Sequence, residues 1–103
     1  MTALRQRLRQ RFGRRLKGLI LFGSRARGDH MVDSDADVAV VLTGPIEKTF
    51  AIKSAIIDDT YDLFLESGIL IQPWPLEEGW LDDPCSAPHP HIVTAVLREG
   101  IDL

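Results

Sequence analysis

The sequence has one cysteine, Cys85, in 103 residues. An internal disulfide is therefore excluded, and a reducing, cytoplasmic setting is the simplest reading. A single thiol in a loop of Asp, Pro and Ser reads as a loop or packing residue, not a nucleophile. No apolar run approaches the roughly 20 residues that cross a bilayer, so no membrane partner is expected. The basic N-terminus is not followed by an apolar core, so no secretion signal is read. Aromatic residues make up 7% of the chain and do not alternate with the basic residues of the first segment. A stacking surface for single-stranded nucleic acid is thus unsupported. Repeats and low-complexity segments are missing too. Acid is absent from residues 1–27, which hold nine of the twelve Lys and Arg; residues 28–103 hold all fifteen Asp and Glu. Such asymmetry points the basic segment at an anionic ligand or partner, or at the acidic side of its own fold.

What is present is enough for one small domain spanning residues 1–103. At 45% hydrophobic the chain can form a compact core. Residues 2–16 read as a helix with Thr2 as N-cap. Leu4, Leu8, Phe12 and Leu16 recur every four residues and make its apolar stripe. Gly18–Phe22 and Asp37–Leu42 read as strands. Pro45 and Glu47 open a long helix from about 45 to 67 that stops at Gly68. Ile46, Phe50, Ile57, Tyr61 and Phe64 form its broad apolar face, widened by Ile52, Ile56 and Leu63. That face reads as core, with width left for a partner subunit. Ile69–Gln72 is a third strand, ended by Pro73-Trp74-Pro75 because proline cannot donate into a ladder. A helical turn over Leu76–Leu81 and a last helix, Ile92–Glu99, complete the reading. His89 and His91 lack a third ligand, so a metal site there is weak.

The chemistry concentrates in Leu19-Ile20-Leu21-Phe22-Gly23-Ser24-Arg25-Ala26-Arg27-Gly28 and in Ser34-Asp35-Ala36-Asp37-Val38-Ala39-Val40-Val41. A strand ends in Gly23, where the backbone can turn sharply and a ligand can approach the main chain. A short helix starting near Ser24 would aim its unpaired N–H groups at the same spot, which suits an anion. The Ser24 hydroxyl can donate to a phosphate oxygen. Arg25, or Arg27 as second choice, can offset charge. Asp35 and Asp37 are two apart, so on a strand both carboxylates share a face. Paired hard oxygens suit Mg²⁺, which completes its shell with substrate phosphates and water. Asp29, Asp33 and His30 read as loop residues. Gly-Ser turns and Asp-x-Asp pairs are each common by chance; their order here, after one strand and before the next, carries the signal.

Gly23-Ser24, ten residues and then Asp35-Ala36-Asp37 resemble the signature of the polymerase-β-type nucleotidyltransferases. The fuller text GSRARGDHMVDSDADVAVVL is similar to the minimal nucleotidyltransferase (MNT) branch. The resemblance implies an α/β fold, a small mixed sheet flanked by helices, with the helices packed on one side. It implies Mg²⁺-dependent transfer of a nucleoside monophosphate from a triphosphate, ATP for choice, to a hydroxyl. Gly23, Ser24, Arg25 and Arg27 would hold the nucleotide; Asp35 and Asp37 would be the catalytic metal ligands. It further implies a HEPN-domain partner in a toxin–antitoxin system, this chain being the antitoxin. The family places a third carboxylate on the strand after the long helix. Ile69–Gln72 has none, and the amide of Gln72 cannot serve as a general base. Two functions therefore stand: transfer chemistry on the partner, or neutralisation of the partner by binding alone with nucleotide held as a signal. Transfer to a small molecule would need an acceptor pocket from a homo-oligomer.

Overall fold

The computed structural model describes residues 2–29, 35–46 and 49–103. Expectations that fall on His30, Asp33 and Glu47, or on the side chains of Thr2 and Phe50, lie outside the described residues and side chains.

Helix α1 spans Thr2–Phe12 and buries Leu4 and Leu8. It is shorter than its apolar stripe predicts. Gly13 takes φ 58°, a left-handed value that a right-handed helix cannot continue. A 3-10 turn over Gly13–Arg15 follows. Leu16, expected as the last member of the helical stripe, instead opens strand β1, Leu16–Phe22. Strand β2, Ala36–Leu42, lies antiparallel to β1, with Phe22 opposite Asp37 and Ile20 opposite Ala39.

Helix α3, Thr49–Ser67, follows the four-residue helix α2, Ser24–Arg27, in chain order. It stops where Gly68 takes φ 73° and donates its N–H to the Phe64 carbonyl at 2.8 Å. Its buried line is Ile56 and Thr60, with Ile52 and Leu63 packed against the core. Thr60 tolerates burial because its hydroxyl donates to the Ile56 carbonyl at 2.9 Å. Tyr61, expected on the core face, is 57% exposed, and the buried line runs one residue earlier, through Ile56 and Thr60.

Arginines of α1 fasten it to α3. Arg7 pairs with Asp62 and donates to the Asp59 carbonyl at 2.8 Å. Arg11 pairs with Asp59, and its guanidinium holds that carboxyl below the ordinary carboxylate range. Arg7 and Arg11 of the basic segment therefore face acid within their own fold.

Strand β3 covers Ile71–Glu77, so it contains the prolines that were expected to end it. The sheet order β3-β2-β1-β4 explains this. β3 is an edge strand and pairs on one side only, parallel to β2. Pro73 and Pro75 are two apart, so their missing donors fall on the same side. An edge strand needs no donors on its outer side.

After β3 come α4, Glu78–Asp82, then α5, Pro90–Glu99, and the short strand β4, Ile101–Asp102, beside β1. Ile20 and Val41 share one face of the sheet and line a groove with Leu81 of α4. Ile71 is on the other face and lines a groove with Leu4 of α1 and Leu63 of α3. The helices thus cover both faces, not one. Every β2 residue except Asp37 is buried, and a strand apolar on both faces needs cover on both.

Candidate active site

Gly23 ends β1 with φ 78° and ψ −157°, a region that only glycine occupies readily. A Cβ built there would meet Asp37 Oδ2 at 2.4 Å. The turn and the acid of the sequence motif are therefore in contact. The reason is cross-strand register: Phe22 pairs with Asp37, so the residue after Phe22 lies against that side chain. Beyond Gly23, α2 forms one turn, with the Arg27 N–H on the Gly23 carbonyl at 3.1 Å. Gly28, with φ 81° and ψ 9°, turns the chain back.

Asp37 is half-buried, and its Oδ1 accepts the Trp74 indole N–H at 3.3 Å. That bond fixes the carboxylate from the β3 side. Trp74 was missed by the sequence reading because its flanking prolines argued against a strand there. Asp35 is exposed, one residue before β2; Ala36 between them is buried and donates its N–H to the Leu70 carbonyl at 2.8 Å. Among the described residues no group of three or more His, Cys, Asp or Glu could hold a metal ion. The Asp37 carboxylate beside Gly23, with Asp35 two residues before it in the chain, still fits Mg²⁺, which takes one or two protein carboxylates and fills its shell from phosphates and water.

The missing third carboxylate stays missing opposite the pair. Asp37 is in register with Gln72. The longer β3 adds Glu77, but Glu77 is in register with Leu42 and accepts the Ile46 N–H at 2.7 Å. Five residues along a strand place it about 17 Å from Gln72.

Glu99, at the end of α5, was not anticipated either. Its Oε1 accepts the Gly23 N–H at 3.0 Å, and Arg27 Nη1 donates to both of its oxygens at 3.0 Å. Arg27 also donates from Nε to Asp29 at 3.1 Å. Glu99 first, then Asp29, raise the Arg27 pKa further above its ordinary value. No local pattern could have found this contact, because 76 residues separate Gly23 from Glu99.

A cavity of about 270 Å³ is lined by Trp74, the residue that donates to Asp37. Trp74, Trp80, Pro88 and Ile92 contribute apolar walls, and Lys53 and His89 add polar groups. The Lys53 ammonium sits 4.2 Å from the centre of the Trp74 ring. His89 and His91 meet edge to face with ring centres 6.0 Å apart, and Cys85 is exposed. Among the described residues no helix is long and apolar enough to cross a membrane.

Residues 1–82 match the model of the nucleotidyltransferase domain family. Two solved structures share the fold. One is a protein of Sulfolobus solfataricus assigned as a nucleotidyltransferase. It is 21% identical, with a TM-score of 0.60 over 97% of this chain and 72% of that one. The other is a toxin–antitoxin structure with AMP-PNP. It is 17% identical, with a TM-score of 0.61 over 97% of this chain and 69% of that one. No curated protein matches.

Proposed function

This chain belongs to the nucleotidyltransferase domain family, and on that premise we propose that it transfers a nucleoside monophosphate from ATP to a hydroxyl of a partner protein. One observation carries the reading: Gly23 lies so close to the Asp37 carboxylate that a Cβ there would meet Oδ2 at 2.4 Å. A phosphate chain bound along the open main chain at Gly23 would then lie beside the acid. The Gly23 N–H and the Ser24 hydroxyl would hold the phosphates, with Arg25 and Arg27 offsetting charge. Asp35 and Asp37 would bind Mg²⁺. When bound, that ion supplies charge neutralisation on the phosphates and activates the attacking oxygen. Trp74 keeps Asp37 oriented through its indole N–H. The family resemblance of the motif and the toxin–antitoxin neighbour support an antitoxin of the MNT branch with a HEPN-domain partner. Incubation with labelled ATP, Mg²⁺ and that partner should label the partner. No label, or equal label with Asp37→Asn, rejects transfer.

A second reading has its own support. No carboxylate stands opposite Asp37 on β3. The chain would then neutralise its partner by complex formation and bind nucleotide without turnover. Protection of cells from the partner separates the two. Undiminished protection by Asp35→Asn/Asp37→Asn supports binding, whereas lost protection with an intact complex supports transfer.

A further inference from the structure

The donors assigned above to phosphate already have an acceptor. We propose that the Glu99 carboxylate is an internal stand-in for phosphate, and that its side chain must leave before a triphosphate can bind. The inference rests on the proposed nucleotide site.

Glu99 accepts from the two groups that would serve an anionic oxygen: the Gly23 N–H at 3.0 Å and Arg27 Nη1 at 3.0 Å. A carboxylate and a phosphate ask for the same charge-assisted bonds. The two cannot share them, and two anions at one spot repel.

The rest of the molecule holds the Glu99 backbone at this spot. Val93 and Val96 of α5 are buried. At Gly100, the next residue, a Cβ would meet the Val96 carbonyl oxygen at 2.4 Å and Ile20 Cγ2 at 2.5 Å. Glycine at 100 therefore lets the end of α5 press onto β1. Ile101 and Asp102 then pair with β1, and the Leu103 N–H donates to the Leu19 carbonyl at 2.9 Å. The helix end is fixed from both sides. What can move is the glutamate side chain, which can change between staggered rotamers by giving up its bonds to Gly23 and Arg27. Asp29 still holds Arg27 from its other nitrogen when Glu99 swings away. The guanidinium then stays in place to receive a phosphate oxygen. Glu99 therefore sets the affinity of the site, and it acts through Gly23 and Arg27 rather than on the reacting atoms.

The test is titration calorimetry with Mg-ATP and with inorganic tripolyphosphate on wild type, Glu99→Gln, Arg27→Ala and the double variant. Glu99→Gln keeps the size and an acceptor but removes the charge. Its affinity for both probes should rise about two- to fivefold, the scale of a screened surface pair. The gain should shrink when Arg27 is also replaced, because only the Gly23 N–H then remains to be freed. A purely structural role for Glu99 can only weaken binding, so tightening is diagnostic. Unchanged or weaker binding by Glu99→Gln, with wild type binding normally, overturns this inference alone. Binding by neither wild type nor variant overturns the nucleotide site and this inference together. Melting curves of all four proteins identify any loss of fold.

Discussion

Gly23→Ala is the most demanding perturbation of the site. At φ 78° and ψ −157° an L-residue is held in a region essentially reserved for glycine, at a cost of about 1–3 kcal/mol. The added methyl also meets the Asp37 side chain, at 2.4 Å from Oδ2, so that side chain has to shift. Asp37 must rotate, and the Trp74 bond to its Oδ1 is lost, worth about 1 kcal/mol more. The total is about 2–4 kcal/mol, a large part of the 5–15 kcal/mol typical of a domain. At about 4–8 °C per kcal/mol, the melting temperature should fall by at least about 8 °C. Gly28→Ala is the matched control. It also has a left-handed glycine, φ 81° and ψ 9°, but open space around the Cβ position. It should cost only about 1–2 kcal/mol. Thermal melts followed by circular dichroism measure both. Mg-ATP titration at a temperature where Gly23→Ala is still folded should show no binding, whereas Gly28→Ala retains it. If the two variants melt within about 2 °C of each other and bind ATP alike, the Gly23–Asp37 contact is not what shapes the site.

Three further outcomes are expected. Asp37→Asn should abolish the Mg²⁺ dependence of ATP binding, and Asp35→Asn should weaken it, both read by calorimetry with and without Mg²⁺. Trp74→Phe removes the donor to Asp37 and should weaken Mg-ATP binding by about fivefold, the worth of one hydrogen bond, with far-UV circular dichroism unchanged. Arg11 lowers the Asp59 carboxyl below its ordinary value in the folded state. That pair therefore stabilises the fold above the unfolded carboxylate value of about 4 and is lost as pH falls through the lower folded value. Melting temperature measured down through pH 4 should drop more steeply in wild type than in Asp59→Asn.

Charge order along the chain shows what a sequence can say and where it stops. The separation of base from acid was plain, and an acidic side of the same fold was one of its three readings. Only the packing of α1 on α3 made Asp59 and Asp62 the partners of Arg11 and Arg7. The α3 face was misjudged for a related reason. Its apolar residues cover more than half the circumference, so periodicity did not single out the buried line of Ile56 and Thr60.

By itself the sequence determined the strand–turn–strand unit. Gly23 had to turn, and an apolar run on each side had to be buried, because those demands are local. The spacing of Asp35 and Asp37 singled them out, but only Asp37 lies on β2, and Asp35 precedes it. Tertiary structure alone decided what surrounds them. Pro73 and Pro75 are tolerated only because sheet order leaves β3 at an edge, and that brings Trp74 to Asp37. Glu99 reaches Gly23 only because Gly100 lets α5 close onto β1. Both contacts join segments far apart in the chain. Their energies depend on how helices and strands stack, which no local pattern of residues encodes.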